Sequence, residues 1–476
     1  MTLTRESYNE QRIAHWDAVA RATDDWQGMG GYYHQRLREI HRHLVSPGLR
    51  VLEIGCGQGD LLAAMKPSYG VGVDFSGEMI ARAKKRHSEL TFHQADAHEL
   101  NLGETFDVII LSDLVNDVWD VQQVLQTVAK HSTASTRVVM TFFSQLYSWP
   151  LRMARRFKLA RPNLEQNWLA HEDVSHLLTL SGLEQIRRGQ EMLWLFRTPV
   201  IDSLVNKFLV RFAPWKWFGL TNVLVARPAS AGTLPASPPI VSVIVPARNE
   251  AGNIAAIFDR TPDMGGGTEL VFVEGHSNDD TYATIEREIA ARPNRRAKLL
   301  KQTGRGKGDA VRAGYAAASG DVFMILDADL TVPPEDLPRF YDALVTNKGE
   351  FINGVRLVYP MEAQAMRFLN MVGNKFFGLA FSWLLGQPVR DTLCGTKVLY
   401  KRDYDRIAAN RSYFGDFDPF GDFDLIFGAA KLNLKMIDLP IRYRERTYGT
   451  TNIQRWRHGL MLLRMLRLAA WRIKFV

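Results

Sequence analysis

The fold of the first half is decided by the stretch VLEIGCGQG at residues 51–59. An apolar strand ends at Ile54 and runs into glycines spaced GxGxG, and a helical segment follows at residues 60–65. Glycine permits a tight turn and lets the backbone approach a ligand closely. The stretch therefore predicts a strand–turn–helix unit that holds a ligand at its turn. A glycine-rich structural turn without a ligand is the plainer alternative.

Acidic residues mark the ends of the strands that we predict next along the chain. Asp74 follows the glycine turn by about twenty residues, where a carboxylate can bind both hydroxyls of a ribose. Asp96 follows the third strand and is placed to contact an adenine edge, and Asp113 follows the fourth. Because open α/β sheets bind ligands at the carboxyl ends of their strands, these residues predict one nucleotide-like site.

This set of motifs resembles the class I S-adenosylmethionine-dependent methyltransferases over residues 30–228. Segments 182–188 and 220–226 fit the terminal hairpin of that family, and the resemblance implies a Rossmann-like fold. A NAD-type or degenerate nucleotide-binding fold is the alternative. The cofactor site that the resemblance and the strand ends imply consists of Glu53, Gly55, Gly57, Gly59, Asp74, Asp96 and Asp113.

The methyl acceptor and its base stay open at the level of the sequence. Methyl transfer from a sulfonium depends chiefly on positioning, so a base need not stand out. His171, His176 and Asp113 are candidate bases, although a surface or structural role is the plainer interpretation of each. The aromatic and basic segment 147–158 either lines an acceptor site or caps the fold.

The second half is organised around VFMILDAD at residues 322–329. Strand alternation points Asp327 and Asp329 to the same side, while Ala328 faces away. Two carboxylates held this close repel each other, and a divalent cation offsets the repulsion. Mg²⁺ or Mn²⁺ bound in this way also takes oxygens from the phosphates of a ligand. The pattern therefore predicts a metal site at Asp327 and Asp329.

Other motifs extend this pattern. VIVPARNE at residues 243–250 and VEGHSNDDT at residues 273–281 are strands that run into polar turns, and GRGKG at residues 304–308 is a cationic turn suited to phosphates. Together they resemble the family 2 glycosyltransferases of GT-A fold over residues 240–455, and within that family the polyprenyl-phosphate sugar synthases.

The resemblance implies an inverting transfer from a nucleotide-sugar. The expected donor site consists of Pro246, Arg248, Glu250, Glu274, Lys307 and Asp327. Asp391, Asp422 and Asp424 match catalytic segments of the family, and Arg356 and Arg446 are candidates for binding an anionic acceptor. A phosphate acceptor needs no base, so the acids would then position it. A sugar or protein hydroxyl would instead need Asp422 or Asp424 as base.

The chain departs from the family pattern at two places. Glu274 and Gly275 stand where family members usually have two aspartates, at the segment that faces the nucleoside base. Asn452 stands where polyprenyl-phosphate enzymes have a lysine, although Arg446 is kept.

Length and composition fit two α/β domains. The chain has 476 residues, more than one hydrophobic core usually serves. We predict a methyltransferase domain at residues 1–228, a proline-rich linker at 229–240 and a glycosyltransferase domain at 241–476. Segment 146–200 is expected to contain helical insertions. Predicted strands fall at 50–54, 71–73, 90–93, 108–111 and 138–142, and then at 241–245, 270–273, 299–301, 322–326 and 351–353.

Composition also bounds the location and partners of the protein. The two cysteines, Cys56 and Cys394, lie in different halves and exclude a disulfide framework, which suits a reducing compartment. No secretory signal and no apolar run of about 20 residues is visible. The expectation is a protein that is either free in the cytoplasm or peripheral at the inner face of the cell membrane. The net charge is +8, but no nucleic-acid-binding motif accompanies it.

Two segments are candidates for membrane contact. The C-terminal stretch is cationic and amphipathic, so it either lies on an anionic membrane or packs its apolar face on the domain. Residues 366–385 are rich in Phe and Leu. The resulting hypothesis is a bifunctional enzyme of glycan or glycolipid assembly that transfers a sugar and methylates an acceptor. The alternative makes the first half a non-catalytic scaffold that binds S-adenosylmethionine.

Overall fold

The computed structural model describes residues 4–22, 28–156, 164–229, 235–356, 368–411, 421–441, 444, 446, 448 and 455–475. Residues 230–234 of the predicted linker, residues 157–158, residues 366–367 and Asn452 lie outside these ranges. Contacts between Cα atoms divide the chain into two compact units, one of residues 1–229 with 475–476 and one of residues 230–474. These units are called the first half and the second half.

Parallel strands form the centre of the first half. Its strands are β1 (Arg50–Ile54), β2 (Tyr69–Asp74), β3 (Thr91–Gln94), β4 (Phe106–Ser112), β5 (Ser132–Phe143), β6 (Leu183–Glu191) and β7 (Thr221–Pro228). They form one sheet in the order β3-β2-β1-β4-β5-β7-β6. The five strands β1, β2, β3, β4 and β5 run parallel to one another, and β7 runs antiparallel to both of its neighbours, β5 and β6.

Helices cover both faces of this sheet. They are α1 (Arg5–Ala22), α2 (Gly28–Leu44), α3 (Asp60–Ala64), α4 (Gly77–Arg86), α5 (Val121–Lys130), α6 (Ser148–Arg156), α7 (His171–Leu180) and α8 (Ile201–Ser203). Apolar residues of β1 point into both layers: Leu52 and Ile54 join one buried cluster and Val51 joins the other. A strand buried on both faces has a continuous apolar run in its sequence, which is why β1 could be predicted.

The second half has a mixed sheet. Its strands are β8 (Val241–Ala247), β9 (Thr268–Glu274), β10 (Ala297–Lys301), β11 (Val322–Ile325), β12 (Phe351–Val355), β13 (Lys397–Tyr400) and β14 (Met436–Pro440). Their order is β10-β9-β8-β11-β13-β12-β14, and β13 alone in this order runs antiparallel to its neighbours. The helices are α9 (Ile254–Arg260), α10 (Thr281–Ala291), α11 (Lys307–Ala317), α12 (Leu337–Val345), α13 (Phe368–Leu385), α14 (Lys401–Ala409), α15 (Phe423–Lys431) and α16 (Arg455–Ala469).

The predicted two-domain α/β fold class is confirmed. The expectation of helical insertions in residues 146–200 is wrong over Leu183–Glu191, which forms β6, although α6 and α7 lie on the N-terminal side of that strand. The terminal hairpin expected from segments 182–188 and 220–226 is present as β6 and β7. β6 is an edge strand with many polar residues, and it pairs with β7 from Leu183 to Glu191. Strands β13 and β14, of four and five residues, were not predicted.

Candidate active sites

A cavity of about 450 Å³ lies at the carboxyl ends of the central strands in the first half. The strand order reverses between β1 and β4, and open α/β sheets bind ligands at such points. Of the predicted cofactor residues, all except Gly59 line this cavity: Glu53, Gly55, Gly57, Asp74, Asp96 and Asp113. The fold therefore brings strand ends that are distant in sequence to one place.

Asp74 ties the glycine turn to the end of β2. Its Oδ2 accepts a hydrogen bond from the backbone N–H of Gly57 at 2.9 Å, and its Oδ1 accepts from Ser76 N at 2.9 Å. Burial raises the pKa of Asp74 to about 6, and these two hydrogen bonds limit the rise. The carboxyl group is thus fixed at the cavity wall, and its pKa lies close to neutral pH.

Two more carboxyl groups face the cavity without a cationic partner among the described residues. Burial raises the pKa of Glu53 well above its usual value, and its Oε2 has no hydrogen-bond partner there. Asp113 accepts a hydrogen bond from the Tyr33 hydroxyl at 2.7 Å, while its buried Oδ1 has no partner in the described part of the chain. Burial raises the pKa of Asp113 to about 6. Buried polar atoms of this kind normally meet a partner, so both groups are open to a ligand.

The N-terminal helix α1 covers Asp96. Asn9 Nδ2 donates to Asp96 Oδ2 at 2.8 Å, and Arg5 donates to the same oxygen at 3.1 Å. His98 donates its backbone N–H to Oδ1 at 2.9 Å, and its ring Nδ1 lies 2.5 Å from that atom. Burial alone would raise the pKa of Asp96, but the hydrogen bonds outweigh it and the pKa is lowered. Asp96 lines the cavity, and α1 already engages its carboxylate.

Two glycines of the turn have different tasks. Gly57 has φ 51°, and a Cβ there would meet nothing within 4 Å, so its backbone is open to the cavity. Gly59 has φ 78°, and a Cβ there would lie 2.7 Å from the Phe92 ring. Gly59 therefore serves the packing of α3 on β3, which explains its absence from the cavity lining.

The candidate bases His171 and His176 do not line the cavity. The His171 ring packs edge-on against Phe142 at 5.7 Å, and burial lowers its pKa. His176 is exposed on α7. The cavity is also lined by residues of α1 and α2 that were not predicted, because these helices precede the first strand and no strand-end rule applies to them. They include Asn9, Trp16, Tyr33 and His34.

In the second half, Asp327 and Lys307 form the centre of the predicted donor site. Lys307 begins α11, and its Nζ lies 2.6 Å from Asp327 Oδ1 just beyond β11. Burial would raise the pKa of Asp327, but Lys307, Lys397 and Arg356 lower it. Gly395 passes so close that a Cβ there would overlap the Asp327 carboxylate and Lys307 Nζ. This role of Gly395 was not predicted from the sequence.

Asp329 is joined to Glu250 through Arg446. Arg446 donates to Asp329 Oδ2 at 2.7 Å and to Glu250 Oε1 at 3.0 Å. Burial raises the pKa of Glu250 to about 7, while Arg446 opposes the rise. Asp329 Oδ1 accepts from the backbone and hydroxyl of Thr331 at 3.1 and 2.8 Å. Arg446 was predicted to bind an acceptor, and here it pairs with the predicted metal and nucleotide residues.

The remaining donor residues lie on two paired strands. Pro246 is in β8, Arg248 is exposed just after it, and Glu274 ends β9 beside Ala247. Glu274 is buried and accepts from Ser277 N at 2.5 Å, so its carboxylate shapes the turn after β9.

The carboxylates Asp327 and Asp329 fit a divalent cation whose other ligands come from a bound substrate and water. The described residues contain no group of three or more His, Cys, Asp or Glu side chains able to hold a metal. Mg²⁺ is usually bound through one or two carboxylates together with substrate phosphates and water. Asp327 and Asp329 can supply these two carboxylates, provided that Lys307 and Arg446 release part of their ion pairing with them to the cation.

Asp391 and Arg356 are paired with each other. Arg356 Nε and Nη2 donate to the two Asp391 oxygens at 2.7 and 2.9 Å, and the N–H groups of Arg356, Leu393 and Cys394 each donate at 3.1 Å. Burial would raise the pKa of Asp391, but Arg356 lowers it. The pair was predicted to supply a catalytic acid and an acceptor-binding cation; in the structure its two members bind each other and brace the loop before β13.

The neighbouring acids Asp422 and Asp424 face different partners. Asp422, which precedes α15, lies 3.8 Å from the buried Lys397 and helps to raise the pKa of Lys307. Asp424 lies 3.3 Å from Arg411 and 3.5 Å from Arg312. Asp422 thus takes part in the electrostatics around Lys307.

Comparison with known proteins identifies the second half. Residues 242–407 match the model of glycosyl transferase family 2. Glycosyltransferase AglJ of Haloferax volcanii is 30% identical over 236 residues, which cover 49% of this chain and 73% of that protein. The chain belongs to glycosyl transferase family 2. Dolichyl-phosphate hexose transferase of the same organism is 31% identical over 208 residues, covering 44% of this chain and 82% of that protein.

The first half matches a second family. Residues 45–194 match the model of a methyltransferase domain. The crystal structure of magnesium protoporphyrin IX methyltransferase from Synechocystis with bound SAH is similar at 17% identity and a TM-score of 0.33, and the match covers 47% of this chain and 97% of that one. The chain therefore joins a family 2 glycosyltransferase to a segment that matches a methyltransferase domain, as the sequence motifs predicted.

Two helices of the glycosyltransferase half expose both apolar and basic residues. The apolar side of α16 packs into the core through Leu462, Met465 and Ala469, so that side is not available to a membrane. Among the side chains of α13 and α16 whose burial the structure describes, the exposed large apolar ones are Phe376, Leu379, Leu460 and Leu463. Arg464 and Arg467 are exposed on the same turns of α16. No helix in the described ranges is both long and apolar enough to cross a bilayer.

Proposed function

We propose that the glycosyltransferase half transfers a sugar, with inversion, from a nucleotide-sugar to a polyprenyl phosphate or a related lipid acceptor. The observation that carries this proposal is that cations engage the candidate acids: Asp391 with Arg356, Asp422 with Lys397, and Asp424 with Arg411. A general base works best with a pKa near the operating pH, whereas a phosphate acceptor has no proton to remove. The relative named dolichyl-phosphate hexose transferase supports the same acceptor chemistry.

Lys307, Asp327 and Asp329 would bind the diphosphate end of the donor. Lys307 sits at the first turn of α11, where the helix dipole and backbone N–H groups also favour phosphate. Asp327 and Asp329 would hold Mg²⁺ or Mn²⁺, which offsets charge on the departing nucleoside diphosphate. Pro246, Arg248, Glu250 and Glu274 would frame the nucleoside. Arg446 would turn from Asp329 toward phosphate oxygens when donor and cation enter.

A membrane surface would bring the lipid acceptor to this site. The exposed Phe376, Leu379, Leu460 and Leu463 would enter the headgroup region, and Arg464 and Arg467 would attract anionic lipids. The protein would then be cytoplasmic and peripheral at the inner face of the cell membrane.

The methyltransferase half would methylate the sugar, its lipid-linked product or a related precursor. When bound, S-adenosylmethionine supplies an electrophilic methyl group. Asp74 would hold the ribose, Glu53 would face the amino-acid part through its Oε2, and Asp96 with α1 would close over the adenine. Asp113, held by Tyr33, would orient the acceptor and take up a proton if the acceptor releases one.

The test is mass spectrometry of lipid extracts after the full chain has been incubated with undecaprenyl phosphate, S-adenosylmethionine and a panel of nucleotide-sugars. We expect a sugar–phosphate lipid to form with Mg²⁺ or Mn²⁺ but not with a chelator. Asp329→Asn should abolish it without altering S-adenosylhomocysteine affinity, whereas Asp342→Asn, the same change on the exposed side of α12, should have no effect. Full activity of Asp329→Asn would refute the metal assignment.

A hydroxyl acceptor would give a different pattern. Asp422→Asn should then abolish transfer to a sugar or protein hydroxyl, because that acid would have to remove the proton. With the lipid phosphate, we expect Asp422→Asn to retain measurable transfer. Tight cofactor binding without any labelled methyl product would support the scaffold role for the first half.

A further inference from the structure

A second cavity of about 450 Å³ adjoins the cofactor cavity of the methyltransferase half. Its lining includes Gly31, His34, Arg38, Arg42, Asp60 and Arg86, and we call it the arginine basin. His34, Arg38 and Asp60 line both cavities, so a ligand in the basin would lie next to the bound cofactor.

One face of α2 builds most of the basin. Gly31, His34, Arg38 and Arg42 are spaced i, i+3, i+7 and i+11, which places them in one stripe along the helix. The opposite side of α2 is buried through Leu37, Ile40 and Leu44. The helix is therefore anchored by its apolar side and presents its guanidinium groups to the basin.

The positive charge of the basin exceeds its negative charge. Asp60 lies 3.3 Å from Arg86 and 2.9 Å from His87, so its carboxylate is already engaged. Arg42 donates to the neutral backbone carbonyl of Ala64 at 3.1 Å. Arg38, which is half-buried, forms no hydrogen bond or ion pair with any residue that the structure describes. Within the described ranges, the Arg38 and Arg42 charges thus stand without a carboxylate.

The pKa of His34 is also affected by the basin. Burial, followed by the nearby Arg38, lowers the pKa of His34 to about 4, so its ring is neutral and can donate one hydrogen bond. The half-buried guanidinium group of Arg38 is partly removed from water and gains from an anionic partner, and the exposed Arg42 beside it adds a second positive charge. Phosphate oxygens suit this arrangement, because guanidinium groups bind them through parallel N–H donors.

We propose that the arginine basin binds a phosphate group of the methyl acceptor, so that the methyltransferase half acts on a phosphorylated sugar compound. This inference rests on the proposed methyl transfer. A phosphorylated acceptor is also the chemical class that the glycosyltransferase half would use or produce, so one chain would act twice on related phosphorylated compounds.

The test measures binding of inorganic pyrophosphate by calorimetry to the full chain saturated with S-adenosylhomocysteine. A Lys307→Gln background weakens anion binding in the other half. We expect Arg42→Gln to weaken pyrophosphate binding about tenfold, the value of one charge-assisted hydrogen bond. Lys85→Gln removes the same charge from the exposed surface of α4 and should leave the affinity unchanged. Equal affinities of the two variants would overturn the proposal.

A second measurement separates the acceptor phosphate from the carboxylate of the cofactor. If that carboxylate occupies the basin, Arg42→Gln will weaken S-adenosylhomocysteine but not 5′-methylthioadenosine, which lacks the amino-acid part, and the proposal is wrong. We expect both affinities to be unchanged. If pyrophosphate binds as expected but no phosphorylated compound is ever methylated, the proposed methyl transfer fails, and with it the acceptor role of the basin.

Discussion

The carboxylate of Asp74 should control cofactor affinity through its ionisation. It is buried, it is already hydrogen-bonded to Gly57 N and Ser76 N, and its pKa is raised to about 6. Two ribose hydroxyls can donate to the two oxygens of the ionised carboxylate. The protonated form carries a hydrogen on one oxygen, so that oxygen accepts poorly. Asp74→Asn removes charge-assisted hydrogen bonds worth about 1.5–3 kcal/mol, so S-adenosylhomocysteine should bind roughly ten- to a hundredfold more weakly.

The same pKa gives a pH dependence with a defined sign. A carboxyl group with a pKa of about 6 is about nine-tenths ionised at pH 7 and about one-tenth ionised at pH 5. If binding requires the ionised form, affinity should fall about tenfold between those pH values. Asp74→Asn should remove this part of the dependence, because the amide does not titrate.

Calorimetry of S-adenosylhomocysteine binding to the full chain at several pH values makes this measurement. Asp113 also has a pKa raised to about 6 and lines the same cavity, so Asp113→Asn is the matched control. That variant should keep the Asp74 component of the pH dependence. An unmodified chain whose affinity is the same at pH 5 and pH 7 would refute the ribose role of the carboxylate.

Three further predictions concern the glycosyltransferase half. Gly395→Ala should reduce sugar transfer about a hundredfold, since its Cβ would displace the Asp327 carboxylate and Lys307 Nζ, and a rate assay with the cofactor affinity as control measures this. Asp391→Asn should destabilise this half by about 3–5 kcal/mol, because it leaves the buried Arg356 charge poorly compensated, and denaturant unfolding followed by tryptophan fluorescence tests it. Leu379→Asp should reduce co-sedimentation with anionic vesicles severalfold, whereas Leu180→Asp, at a similarly exposed leucine of the methyltransferase half, should not; the exposed fractions are 75% and 65%. Equal vesicle binding of those two variants would contradict the membrane-facing role of α13.

Strand ends were predictable because their physics is local. The buried runs that precede Gly55 and Asp327 indicate their strands, and parallel strands necessarily bring their carboxyl ends to one edge of the sheet. The amino-acid sequence alone is therefore enough to predict that Glu53, Asp74 and Asp113 lie close together. Residues of α1 and α2, such as Trp16 and Arg38, obey no such rule, since only the packing of the helices on the sheet brings them to the cavity.

Ion pairs between charged side chains were harder to predict from the sequence than the positions of those side chains in the fold. Asp391 and Arg356 were predicted as separate functional groups, and the structure pairs them through two hydrogen bonds. Both residues flank a segment of more than thirty intervening positions, so neither spacing nor composition could reveal the contact. The position of a strand end can be predicted from a few neighbouring residues. The ionisation of its carboxyl group depends on which cationic side chain, distant in sequence, the fold places beside it.

Three carboxyl groups of the methyltransferase cavity differ in their partners from two of the glycosyltransferase half, and this difference matches the charge of the expected ligands. Asp96, which Arg5 binds, and Glu250, whose pKa is raised, do not follow it. In the methyltransferase cavity, Glu53, Asp74 and Asp113 form no ion pair with any described residue, and burial raises the pKa of each. Such a cavity suits a cofactor that carries a sulfonium and an ammonium group, because the ligand supplies the positive charge.

In the glycosyltransferase half, Asp327 and Asp391 are held ionised by Lys307 and Arg356, and their pKa values are lowered. Ligands that bear several phosphates bring negative charge, so a site for them must supply cations in advance. If the donor diphosphate binds beside Lys307, as proposed, this lysine would exchange its ion pair with Asp327 for one with the phosphates. That exchange would let the same lysine hold the empty site together and then bind the donor.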